Sequence, residues 1–170
     1  MTPSEQEDYS ALRATVRERG TSRVWIFVAG LGLWAGLVLV ILALDFPPAA
    51  ALVSLLVLGA AFEAVFGLHV AVERIGRYLQ VFHDDRWEQT AMDFGAPLSG
   101  TGSDPLFTAF FSFATLLNLL PLVAIEAVQV EFLAIGGAHG LLLARVITAR
   151  RAATRQRDAD LARFRAMRHA

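Results

Sequence analysis

Apolar residues in this chain come in long blocks, not in alternating stripes. From Val24 to Leu44 the stretch VWIFVAGLGLWAGLVLVILAL holds no charged residue. A helix of about 20 such residues crosses roughly 30 Å of hydrocarbon. Three further blocks follow, so spans are predicted at about 24–44, 49–69, 105–124 and 130–148. The first block is too long for the core of a cleaved leader, and no small-residue cleavage pattern follows it, so a retained helix is expected.

The punctuation between blocks sets the connections. Asp45-Phe46-Pro47-Pro48 reads as a tight turn, because paired prolines cannot continue a helix. A turn this short returns the second span antiparallel to the first. Beyond His69 the pattern changes: Val72, Ile75, Leu79 and Phe82 recur at helical spacing against Glu73, Arg77 and Gln80. This amphipathic extension is expected to lie along the membrane surface or stand out from it as a stalk. Glu73 and Arg77 are spaced for an ion pair on one helix face. Residues 84–104 form the one long loop, dense in Gly, Ser, Thr and Asp, and Ser103-Asp104-Pro105 marks a helix start. Pro121 is expected to kink the far end of the third span. Residues 1–23 read as a short surface helix or a frayed terminus, and 149–170 as an arginine-rich helix. The expected fold is all-α: a bundle of four transmembrane helices (24–148, including a helix and loop at 70–104), with helices 2 and 4 extended into the cytoplasm.

Composition agrees with a single membrane domain, since 55% of the 170 residues are hydrophobic and mean hydropathy is +0.50. Every one of the 15 basic residues is arginine. A four-span arrangement puts all of them on one side and leaves only Asp45, Glu126 and Glu131 on the other. Short arginine-rich segments stay in the cytoplasm. Both termini and the central loop are therefore expected there, in the inner (plasma) membrane of a bacterium. The absence of cysteine excludes disulfides, thiolate metal sites and a cysteine nucleophile.

Ionisable groups within apolar spans are costly and are candidate functional residues. Glu63 is flanked at helical spacing by Gly59, Ala60, Phe66 and Gly67, so it is expected to point into the bundle. His139 is the second candidate. Counting helix rise from the outer ends places Glu63 roughly 22 Å deep and His139 roughly 14 Å deep, which suggests a contact between them. Asn118 is placed to hydrogen-bond to either. His69, at the cytoplasmic boundary, is about 15 Å from His139 in depth, too far for both to ligate one haem iron.

At the cytoplasmic interface the candidates are His69, Glu73, Arg74, Arg77, His83, Asp84 and Asp85. Arg74, Arg77 and Arg86, with Arg150, Arg151, Arg155 and Arg157, are expected to form a basic surface against anionic lipid head groups. His83, Asp84, Asp85 and Glu88 cluster at a soluble helix end, where solvated acids are the expected reading and a metal-dependent enzyme the alternative. Gly32 with Gly36 and Gly136 with Gly140 permit close helix approach, within the bundle or to a membrane partner or second copy. Phe107, Phe110, Phe111 and Phe113 are expected to fill the core or face lipid. No nucleotide-binding, hydrolase or metalloprotease motif is present. No cofactor, bound metal or nucleic-acid partner is expected. The leading expectation is a structural or interaction subunit; the alternatives are a proton-coupled or ion transporter subunit using Glu63 and His139, and a membrane-embedded enzyme.

Overall fold

The computed structural model describes residues 2–83, 90, 105–124 and 128–169, and among them every regular element is helical. Helix α1 runs unbroken over Pro3–Ala43. The N-terminal segment is thus neither a separate surface helix nor a frayed end. It continues into the first span because no proline interrupts 4–43 and the start is well capped. The Thr2 hydroxyl accepts from Glu5 N–H at 3.3 Å, and the Glu5 carboxylate accepts from Thr2 N–H at 2.6 Å. That backbone hydrogen bond holds the Glu5 carboxyl below the usual carboxylate range.

The turn after α1 places Asp45 at φ 48°, the left-handed region that aspartate tolerates better than most residues. Phe46 N–H closes it onto Ile41 O at 3.1 Å. A single 3-10 turn over Pro48–Ala50 then feeds α2, Ala51–Phe82. Helix α3 covers Pro105–Leu117 and α4 covers Leu120–Ala124. The break between them is the expected effect of Pro121, which removes a donor and clashes with the carbonyl four residues back. Helix α5 spans Gln129–Arg168, and its start is held by Val128 N–H donating to the Glu131 carboxylate at 3.2 Å.

Among the described residues four helical segments are long and apolar enough to cross a membrane: Pro3–Ala43, Pro48–Phe82, Phe107–Ala124 and Gln129–Arg168. Their outward surfaces carry Trp25, Leu33, Leu39, Leu56, Val123, Leu133 and Leu141, all largely exposed. A water-facing bundle would bury such side chains. Inside, Trp34, Val38, Leu58, Phe62, Val65, Phe111 and Val146 form the main core. Phe27 meets Phe107 edge-on at 4.7 Å between ring centroids, and Phe111 meets Phe62 at 5.2 Å. Of the expected phenylalanine set, Phe111 is core and Phe107 half-buried, while Phe110 and Phe113 face outward.

Among the described glycines the tightest approach to a neighbouring helix falls at Gly30, not at the glycines with a recognisable spacing. A Cβ placed there would lie 2.5 Å from the Ala61 Cβ. At Gly32, Gly36, Gly136 and Gly140 it would meet nothing within 4 Å. Gly30→Ala is therefore expected to push α1 from α2 and lower stability by about 1–3 kcal/mol. Gly30→Ala/Ala61→Gly should recover most of that loss, and Gly36→Ala should cost nothing. Thermal unfolding of the purified variants in detergent checks all three.

Three helices continue past the apolar blocks at the same end. The N-terminal half of α1, the end of α2 and the end of α5 meet through Tyr9 on His83, with centroids 5.4 Å apart, and Tyr78 on Phe164 at 5.7 Å. Arg168 donates to Val81 O at 2.7 Å. The amphipathic extension of α2 thus stands out as one strand of a three-helix stalk.

Candidate functional site

Polar side chains gather at three places, each built by a different pair of local causes. The first lies within the spans. The helix break before Pro121 puts Asn118 in the bend between α3 and α4, fully buried. Its Oδ1 accepts from Trp34 Nε1 at 2.9 Å and from the Ser54 hydroxyl at 2.6 Å. Its Nδ2 donates to Ala51 O at 2.9 Å and to His139 Nε2 at 2.8 Å. All four hydrogen-bonding positions of the amide are filled, by residues from α1, α2 and α5. The pattern also settles the orientations. Indole N–H can only donate, so the amide oxygen faces Trp34. His139 Nδ1 lies 2.7 Å from Ile135 O, which can only accept, so the imidazole is neutral with its proton on Nδ1.

The second place is the outward face of α2 and α5. Glu63 does not point into the bundle and makes no hydrogen bond to His139 among the described residues. Its carboxylate instead takes a two-pronged pair from Arg145, at 2.8 Å from Nε and 2.8 Å from Nη2. The physical reason is depth: by helix rise from the outer end, Arg145 sits roughly 22 Å in, level with Glu63, whereas His139 is roughly 8 Å shallower. Arg145 also lies over Phe62 and Phe66, 5.7 and 5.1 Å from their ring centroids.

The third place joins the stalk to the spans. Arg23 Nη1 is 3.0 Å from His69 Nδ1; a guanidinium only donates, so Nδ1 accepts and the His69 proton lies on Nε2. That nitrogen is 3.6 Å from Glu73 Oε1, too long for a hydrogen bond. Glu73 accepts from Arg77 Nη2 at 2.7 Å, the expected pair on one helix face. Arg77 Nη1 reaches across to Asp160 on α5 at 2.8 Å, and Arg74 Nε reaches the same carboxylate at 3.3 Å. Arg77 is only 3% exposed. It is therefore not part of a basic surface, because two acids consume its charge inside the stalk. Arg74 is exposed and does remain on that surface. Above this chain, Arg23 and His69 line a cavity of about 30 Å³ with Phe62, Phe66, Phe107 and Phe111, room for about two water molecules. Arg23 Nε and His69 Nε2 are buried there with no hydrogen-bond partner.

His83 is half-buried against Tyr9 and Tyr78. Its expected acidic neighbours Asp84, Asp85 and Glu88 lie outside the described residues, as does Arg86. Among the described residues no three His, Asp or Glu side chains converge on a point. Sequence reasoning singled out Asn118 and His139 but not Trp34 or Ser54, which complete their junction. It also passed over Asp160, whose signal is helical spacing: Ala149, Ala153, Asp160 and Phe164 share the face of α5 turned towards α2.

Among the described residues the fold is all-α, with four helices whose length and composition are those of a multi-pass membrane protein. Compared with family models, curated proteins and solved structures, the chain matches none.

Proposed function

We propose that this chain is a structural or interaction subunit of a bacterial inner membrane, in which four spans anchor a three-helix cytoplasmic stalk that docks a partner. The observation carrying this reading is the stalk itself. Three spans run on without a break; outside the apolar region α2 and α5 are fastened by Glu73, Arg77 and Asp160, and α1 packs on them through Tyr9 against His83. A stalk locked by buried charges holds a fixed shape, which is what a docking surface requires. The orientation follows from arginine placement, because the stalk carries most of the guanidinium groups and short basic segments are retained in the cytoplasm. Arg74, Arg151 and Arg155 are exposed on it and suit anionic lipid head groups, at about 1 kcal/mol each near the surface.

Nothing comparable supports transport. A relay needs groups that exchange a proton along a path, yet both His139 nitrogens are occupied and Glu63 is tied to an arginine on another face. The test places a photocrosslinking residue at Arg155, Ala159 or Arg163 on the exposed side of the stalk, in native membranes. A discrete adduct at these positions and none at Leu39 is expected. Proton flux in proteoliposomes that is abolished by His139→Leu in a folded protein, with no adduct on the stalk, would contradict the proposal.

A further inference from the structure

We infer that the outward face of α2 and α5 is where two copies of this chain meet, each copy's Glu63–Arg145 pair closing onto the pair of the other. Within this chain the two side chains stay 50% and 40% exposed, at a depth of roughly 22 Å along a span that crosses about 30 Å of hydrocarbon. Lipid tails offer no hydrogen bonds, so an uncovered carboxylate and guanidinium at that depth are costly. The pair also has unused capacity. Arg145 spends Nε and one Nη2 hydrogen on Glu63, leaving Nη1 free to donate, and each carboxylate oxygen keeps a lone pair.

The arrangement is complementary to itself. Helices α2 and α5 both run from the outer end towards the stalk, so the negative and positive groups lie side by side at one depth. A half-turn about the membrane normal places Glu63 of one copy against Arg145 of the next and the reverse, giving a rectangle of alternating charge. This is the isologous contact of a two-fold dimer. Beside the pair, Leu52, Leu56, Gly59, Ala60, Ala138 and Leu142 line an open groove of about 480 Å³. By the same measure this is many times the room one water needs, so the groove is sized for side chains, not isolated solvent. Leu56, 73% exposed at its edge, is placed to enter the partner's groove. Ala60, Ala64 and Gly67 continue the same exposed stripe of α2 and let the backbones come close.

Because the chain has no cysteine, single cysteines report contacts directly. Ala60→Cys and Ala64→Cys, oxidised in proteoliposomes at low protein-to-lipid ratio, should give covalent dimers, and Gly36→Cys on α1 should not. Adding Glu63→Arg, or Arg145→Glu, should lower the Ala60→Cys dimer yield at least tenfold, since each then presents like charges to its own copy. Two differently tagged chains, one with each substitution, should pair with one another at near the original yield. Glu63→Arg/Arg145→Glu in one chain keeps both the internal pair and the alternation, so it should dimerise normally even if the single variants fail to fold. Dimers formed through Gly36→Cys instead would assign the contact to the α1 glycine face and overturn the inference. So would an Ala60→Cys chain that stays monomeric while anionic lipid co-purifies with it, or a double-swapped chain that folds but no longer dimerises.

Discussion

Asn118→Leu is expected to lower the stability of the protein in detergent by about 2–4 kcal/mol. Leucine fills a similar volume, so little of the effect comes from a cavity. The loss arises from the groups left behind. The Ser54 hydroxyl can turn its one proton from Asn118 to Ala51 O, 3.0 Å away, but Trp34 Nε1 and His139 Nε2 are left buried without the amide that paired them. Each buried orphan costs about 1–3 kcal/mol. The lower part of that range applies here, because hydrogen bonds between membrane helices average about 0.6 kcal/mol and reach about 1.7. Trp34→Phe removes one donor and leaves Asn118 with three bonds, so it should cost about 1 kcal/mol. In the double variant Asn118→Leu/His139→Leu the loss should be smaller than the sum of the two single losses, because the second substitution removes an orphan made by the first. Additive losses would mean the four-way junction does not act as a unit.

Arg77→Met is expected to open the stalk at a cost of about 3–5 kcal/mol, the range for removing one partner of a buried ion pair. Glu73 and Asp160 would then face each other across α2 and α5 without the guanidinium that bridges them. Arg77→Lys should not restore stability, since a compact ammonium lacks the rigid planar fork whose two separated Nη atoms each hold one carboxylate. Arg77→Met/Asp160→Leu should be more stable than Arg77→Met alone, because it removes a stranded charge. The readout is local: hydrogen exchange over 149–168 should accelerate while the amides of the spans stay protected. Uniform acceleration through the spans would show that the stalk and the membrane bundle are not separable.

Much of the architecture was legible in the apolar blocks, because a span announces itself through length and the absence of charge. The paired prolines at 47 and 48 and the single proline at 121 marked the turn and the break for the same reason, each removing a backbone donor. The polar residues were legible as a set but not as partners. The depth count that suggests Glu63 with His139 leaves them roughly 8 Å apart, and the same count sets Arg145 level with Glu63. Asp160 sits in the run Arg157-Asp158-Ala159-Asp160, where composition points to a solvated helix and only the face it shares with Ala153 and Phe164 points inward. Gly30 was invisible for a related reason. A close approach depends on where two helices cross, and the Gly32 and Gly36 spacing that attracts notice lies on the open side of α1.

The polar groups inside the spans are joints between helices, and the ring of His139 is where that is most directly measured. Nitrogen-15 chemical shifts of the histidine rings in bilayers distinguish the two neutral tautomers. A protonated Nδ1 and a bare Nε2 on His139, with the Nε2 signal moved by Asn118→Leu, is the expected result. A proton on Nε2 would contradict the joint, since that nitrogen could then no longer accept from the Asn118 amide.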